Sequence, residues 1–278
     1  MILMFDRKEL KRRAKLVLMR SYSKVFLACF IVSLLSGGGI GLFSKRADNI
    51  DLSAMSQQTL VMVSVIFIAL IVISILLSIF MVSPLMVGHK KFMIETSKAD
   101  SPLNLLLVPF NNNYKKIVFV QFMKELFIFL WSIPALLPIA VLVFNYETVV
   151  GMIVSANYGS DVAERALLGV LFLWGISTLI LYVPAFIKEL QYMLVPYLLA
   201  DDPEITWRDA LLKSKEMMVG NKWAFIKLIF SFIPWIIAAN LLCCVGGFLI
   251  TPYIEATVCE MYMELSGQIP ADNVFYEM

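Results

Sequence analysis

Residues 184–222, PAFIKELQYMLVPYLLADDPEITWRDALLKSKEMMVGNK, decide how the chain is read. An apolar helix carries one charged pair, Lys188-Glu189, reaches Pro196-Tyr197 and stops at an Asp201-Asp202-Pro203 corner. Thr206-Trp207-Arg208-Asp209 reads as a capping box with Asp in place of the usual Glu. Trp207, Ala210, Leu211, Ser214, Met217 and Met218 share one face of the next helix, and Gly220 ends it. The acidic run Asp201-Asp202-Pro203-Glu204 invites a metal-site reading, but a solvated corner ahead of a capped helix explains it more simply.

The composition places this stretch in a membrane protein. Of 278 residues, 60% are hydrophobic and 16% charged. Soluble domains run at roughly 45–50% apolar and about 25% charged. Mean hydropathy is +0.82, and the excess lies in long uncharged runs. These predict an all-α polytopic membrane protein with six transmembrane helices, over 24–43, 59–82, 116–144, 166–200, 223–240 and 241–263. The fourth is too long for one straight crossing, so a kink is expected at Pro184 or Pro196. Pro134 and Pro138 predict another in the third. The second should continue past Pro84 into His89-Lys90-Lys91. Residues 145–164 read as a polar loop, and a tight turn over 243–247 joins the last two spans. Ser101 and Pro102 read as the N-cap and first position of a short interfacial helix that ends at Asn111-Asn112-Asn113. One membrane domain, 1–265, is followed by an acidic tail, 266–278.

The basic residues set orientation. In residues 1–23, Leu3, Leu10, Ala14, Val17 and Leu18 share one helical face, and Arg7, Lys8, Lys11, Arg12, Arg13 and Lys15 cover much of the rest. Such a helix lies on a membrane surface rich in anionic lipid headgroups, each basic charge contributing about 1 kcal/mol. The N-terminus shows no cleavage site of a secretory signal. Further lysines and arginines flank the connections after the second and fourth spans, whereas the opposite side holds only Lys45, Arg46 and Arg165. The positive-inside rule puts both termini in the cytoplasm. Nucleic acid is not indicated as a partner, because the basic residues sit beside membrane segments.

A threefold pattern runs through the chain. Small polar breaks, Ser21-Tyr22-Ser23, Asn112-Asn113-Tyr114 and Gly220-Asn221-Lys222, precede the odd spans. The even spans end at Ser83-Pro84, Val195-Pro196 and Thr251-Pro252. Three tandem hairpins, each with a cytoplasmic amphipathic lead-in helix, would produce this internal repeat.

Six charges interrupt the apolar spans: Lys124, Glu125, Lys188, Glu189, Lys227 and Glu255. A charge at a helix centre costs about 2.5–3.5 kcal/mol on insertion scales. Two readings stay open. The charges pair with one another while the lysine stems snorkel, or they line a polar cavity open to the cytoplasm. Gly37 and Gly41 form a G-x-x-x-G pair suited to close helix packing; no strand or Gly-Lys-Ser end makes a phosphate loop of this run. The four cysteines, Cys29, Cys243, Cys244 and Cys259, lie in apolar stretches and read as small buried hydrophobes, with a redox role for Cys243-Cys244 the alternative. No nucleophile elbow, H-E-x-x-H, Walker loop or paired-cysteine motif occurs. The sequence implies no cofactor, metal or catalytic residue.

Pro184-Ala-Phe-Ile-Lys188, Tyr192, Pro196-Tyr-Leu-Leu-Ala-Asp-Asp-Pro-Glu-Ile-Thr206, Ala210-Leu-Leu-Lys-Ser214 and Met218-Val-Gly-Asn-Lys-Trp223 together resemble the bacterial integral-membrane family called domain of unknown function 975. Arg7-Lys-Glu-Leu-Lys-Arg-Arg-Ala-Lys15 and Pro252-Tyr-Ile-Glu-Ala-Thr257 fit it too. Ala185 stands where glycine is common, and Trp207 is bulkier than usual. The family is distantly similar to the membrane domain attached to some glycerophosphodiester phosphodiesterases. The resemblance implies a bacterial cytoplasmic membrane location and transfers no catalytic residues. The expected function is non-enzymatic handling of a lipid or amphipathic ligand in the cytoplasmic half of the bilayer. The alternatives are an accessory or scaffold subunit of another membrane complex, and an embedded enzyme.

Overall fold

In the computed structural model, which describes residues 5–38, 57–111, 113–157, 161–242 and 246–268, helix follows helix and no strand occurs among the described residues. Helix α1 spans Arg7–Ser33 and runs on as a π turn to Gly38. Helix α2, Gln57–Leu77, passes through a π turn into α3, Ser83–Lys98. A 3-10 turn, Leu103–Leu107, leads into the short α4, Val108–Asn111. Helix α5, Tyr114–Ser132, bends through the 3-10 turn Ile133–Leu136 into α6, Leu137–Phe144. Then come α7, Tyr146–Asn157; α8, Asp161–Tyr192; α9, Val195–Asp201; and α10, Trp207–Met218. Helices α11, Lys222–Phe230, α12, Ile233–Leu242, and α13, Gly246–Leu265, are the last of the described helices.

Five described stretches are long and apolar enough to cross a membrane: Arg7–Ser36, Val61–Lys98, Tyr114–Phe144, Asp161–Asp201 and Lys222–Ala239. The protein is therefore an all-α membrane protein. The expected sixth span falls largely on α13, which carries Glu255, Glu260 and Glu264 and is not in that set. Side chains along 61–77 of α2 are exposed and apolar on every side, as suits a helix facing lipid.

Two local expectations change, and one is narrowed to a single proline. Residues 146–157 of the expected polar loop are the helix α7. Asn145 closes α6 by donating its side-chain amide to the Val141 carbonyl at 2.8 Å. The apolar residues of 149–154 then support a new helix, with Glu147 in its positively polarised first turn. Of the two prolines at which a kink is expected, Pro184 lies inside an unbroken α8, and the interruption comes at 193–194, just ahead of Pro196. Pro102, not Ser101, is the N-cap of the following 3-10 turn; Ser101 Oγ donates back to the Ala99 carbonyl at 3.2 Å. The kink expected at Pro134 and Pro138 is present as a 3-10 turn. The 44–56 loop, Gly41, Cys243, Cys244 and the tail from 269 lie outside the described residues.

The chain packs as two compact units. One lies within 123–193, where α6, α7 and α8 pack together with the 3-10 turn before α6. The other comprises 1–122 and 194–278. Its centre is α1 laid along α13, with α3 packed on α1, α9 and α13. Leu10, Ala14, Val17 and Leu18, the apolar face of the N-terminal helix, are all buried there. Gly88 of α3 is buried against the Leu106 backbone, and a Cβ on it would overlap the Leu106 carbonyl oxygen.

All three polar breaks are backbone irregularities in this unit. Ser21 leaves helical geometry inside α1 at φ −140° and ψ 33°. Asn113 has φ 57° and Gly220 φ 79°, left-handed conformations open to Asn and Gly. The Ser21 bend is pinned by the end of α3. Arg20 donates to the carbonyls of Thr96 and Ser97, which satisfies the exposed carbonyl end of that helix. Asp100 accepts from Ser21 Oγ at 2.8 Å and from Lys24 Nζ at 2.6 Å. Lys24, then Ser21, holds the Asp100 carboxyl below its ordinary pKa. A depressed carboxylate pKa stabilises the fold above the unfolded value, and that contribution is lost as pH falls through the folded value. Asp100→Asn should therefore lower the unfolding temperature at neutral pH, and the gap to the unmodified protein should close on acidification below pH about 4. A pH series of thermal melts in detergent checks this; a gap that does not change with pH would refute it.

Candidate functional site

The larger unit holds a layer of buried polar groups between α1, α3, α9 and α13. Its centre is Glu255 on α13. Lys90 Nζ on α3 lies 2.5 Å from Glu255 Oε2, and His89 Nε2 lies 3.9 Å from the same oxygen. His89 is 2% exposed, and Cys29 Sγ of α1 lies 3.8 Å from its Nε2. Lys90 Nζ also sits 5.0 Å above the Tyr197 ring. Tyr197 stacks on Tyr262 at 4.9 Å between centroids. The Tyr262 hydroxyl donates to Asp201, which also accepts from Gln268 Nε2 at 2.5 Å. Further along α13, Glu260 accepts from Ser97 Oγ, and Glu264 meets Arg13 Nη2 at 2.9 Å. Three glutamates at helical spacing thus tie α13 to α3 and α1. The low dielectric of such a site makes each pairing strong and each unpaired charge costly.

A groove lies on the outer side of the α1–α13 contact. Its basic end, about 530 Å³, is lined by Lys8, Lys11, Arg12 and Lys15 and walled by Trp235, Ile250 and Tyr253. Lys15 and Tyr253 also line an adjoining cleft of about 400 Å³ with Leu18, Met19 and Tyr22. The helical spacing of 8, 11, 12, 15, 18, 19 and 22 explains why one face carries both ends. Arg12 is held by Glu9 through two hydrogen bonds of 2.8 and 2.7 Å. Lys11 Nζ reaches the Ser231 carbonyl at 3.4 Å and lies 4.1 Å over the Phe232 ring. Lys8 and Lys15 are exposed and have no acidic partner among the described residues. Trp235 is 62% exposed and Met19 81%. The groove is cationic at one end and apolar at the other.

A separate cleft of about 490 Å³ opens between α3, α4, the start of α5 and α9, lined by Lys91, Asn111, Asn113, Ile117, Leu199 and Pro203. Near it Lys116 Nζ meets Glu204 Oε2 at 2.8 Å and the Glu204 carbonyl, which lowers the Glu204 pKa. Asp202 accepts from the Glu204 backbone N–H at 2.9 Å, so the acidic corner is a capped turn. Thr206 accepts from the Asp209 N–H at 3.3 Å, but its hydroxyl donates to the Asp209 carboxylate, so only half of the expected capping box forms. No group of three or more metal-capable side chains occurs among the described residues.

The model of the family described as "Protein of unknown function (DUF975)" matches residues 4–268. The chain belongs to DUF975. No curated protein and no solved structure matches it.

Of the six charges expected either to pair with one another or to line one cavity, this DUF975 protein places Lys124, Glu125, Lys188 and Glu189 in the smaller unit and Lys227 and Glu255 in the larger. Lys124 pairs with its neighbour Glu125 at 2.8 Å. Lys188 Nζ sits 4.8 Å over the Trp131 ring, and Glu189 accepts from the Tyr182 hydroxyl at 3.2 Å. Lys227 is exposed. Glu255 alone enters the buried layer, and its partners His89 and Lys90 were read as the end of a span. Their signal was weak: one proline-led helix end with no periodicity to show that it turns inward. Of the six N-terminal cations assigned to the membrane surface, Arg13 departs. It is 7% exposed and bridges Glu9 and Glu264. Cys29 and Cys259 are buried free thiols.

Proposed function

We infer that this DUF975 protein binds a lipid or other amphipathic ligand at the cytoplasmic half of a bacterial cytoplasmic membrane, without chemistry of its own. One observation supports this reading: the groove beside α1 joins a cluster of lysines, walled by an exposed tryptophan, to an adjoining apolar arm. Headgroups and chains need that polarity, and Trp and Tyr favour the interface where the two meet. The topology that accompanies this function is six crossings, with α13 forming the sixth around paired glutamates, and with both termini in the cytoplasm.

The three-hairpin arrangement has support in the packing order. The 3-10 turn Leu103–Leu107 packs on α3, and α10 packs on α9. In each case a lead-in follows its proline-led helix in sequence. The N-terminal lead-in, α1, packs on α13, which carries Pro252 inside the helix. Gly88, Ala200 and Ala256 each stand four residues after Pro84, Pro196 or Pro252, and all three are buried. Native mass spectrometry after release from nanodiscs of mixed zwitterionic and anionic phospholipid tests the ligand reading. We expect the protein to retain at least one phospholipid; protein released bare under gentle activation would overturn it.

A further inference from the structure

The geometry points to a headgroup carrying two phosphates, a diphosphatidylglycerol-type phospholipid, as the occupant of the α1 groove. This rests on the lipid-binding reading above and sharpens it. Lys8 and Lys15 are seven residues apart, which separates their Cα atoms by about 10 Å along the helix axis. Lys11 lies between them. A single phosphate is too small to engage ammonium groups at both ends of that line at once, whereas two phosphates joined by a glycerol can be shared along it. Charge leads to the same answer. The guanidinium of Arg12 is compensated by Glu9. Lys8, Lys11 and Lys15 then remain as three cations in one cleft, and none has an acidic partner among the described residues. A headgroup with a single negative charge would leave most of that charge uncompensated. Basic recesses of this kind between membrane helices suit multiply charged headgroups.

The adjoining apolar cleft adds the second half of the recognition. Lys15 and Tyr253 belong to both clefts, so a phosphate at Lys15 starts an acyl chain beside Leu18 and Met19. A free diphosphate or nucleotide would leave this arm empty, so the occupant is a lipid.

The test uses the full chain in phosphatidylcholine nanodiscs. One set contains diphosphatidylglycerol lipid, and the other contains twice the molar fraction of phosphatidylglycerol, so that total charge is equal. Native mass spectrometry reads the lipid retained. One diphosphatidylglycerol per protein should survive at concentrations where phosphatidylglycerol does not. Lys8→Gln/Lys15→Gln should weaken retention about thirtyfold, the loss of two interfacial charges. Lys213→Gln/Lys215→Gln, exposed on α10, should leave it unchanged. Both pairs are exposed, so melts matching the unmodified protein show that folding is intact. Equal retention of phosphatidylglycerol at matched charge, or retention indifferent to the Lys8/Lys15 change, overturns the two-phosphate inference while leaving the lipid-binding reading standing. Loss of both lipids overturns both.

Discussion

Glu255→Gln is expected to destabilise the protein by about 3–5 kcal/mol, the cost of breaking a buried pair from one side. Its carboxylate lies 2.5 Å from Lys90 Nζ, and the two side chains are 27% and 8% exposed. Glutamine keeps the shape but removes the charge, leaving an ammonium between helices above the Tyr197 ring with no compensating carboxylate at position 255. For a chain of this size the unfolding temperature should fall on the order of 10 °C. Lys90→Met/Glu255→Gln should recover most of that loss, because a pair replaced on both sides leaves no charge stranded. The cycle is read by thermal unfolding in detergent. A single variant that melts with the unmodified protein would remove the pair from any structural role. A double variant as unstable as the single would show that the cost lies in something other than a stranded lysine.

The second large effect is steric. Gly88→Ala should cost about 3 kcal/mol, at the upper end of overpacking penalties. Its Cβ would meet a backbone carbonyl, and backbone cannot rotate away as a side chain would. The whole turn Leu103–Leu107 must shift, or α3 must move from α1, α9 and α13. Glycines of α8 supply the contrast. Nothing lies within 4 Å of a Cβ added at Gly169 or Gly175. Alanine there should be neutral or stabilising by up to about 1 kcal/mol, from helix propensity alone. Melting temperatures of the three single variants, measured side by side, decide whether the α3 contact is as close as described. Equal behaviour of all three would refute it.

Much of this architecture was legible because membrane helices carry strong signals. Uncharged runs marked the crossings, and the stretch 184–222 displayed a helix end, an acidic corner and a capped helix in order. The apolar face of the first helix was legible because Leu10, Ala14, Val17 and Leu18 recur at helical spacing, but it reads as a membrane-surface face, whereas these residues are buried within the protein. Residues 145–164 misled because Asn, Glu, Ser and Asp punctuate them, and punctuation alone does not show whether the apolar run between is helical. The candidate site was less legible. Charges inside apolar spans are easy to count, but their partners depend on which helices meet. Lys90 looked like a flanking cation and Arg13 like a surface one; both are buried because α13 brings glutamates to them. The groove was only half visible. Its lysines stood out, whereas Trp235 and Tyr253 come from helices more than two hundred residues away.

The packing of α1 along α13 has a consequence for how the protein is made. Helix α1 meets its main partner only after α13, far along the chain, has been synthesised. Until then, α1 lacks its largest packing partner, and Arg13 lacks Glu264. Contacts between such distant parts of a chain form slowly. The larger unit therefore closes only after α13 is made, and a ribosome stalled before α13 leaves α1 and α3 without the helix that completes their core.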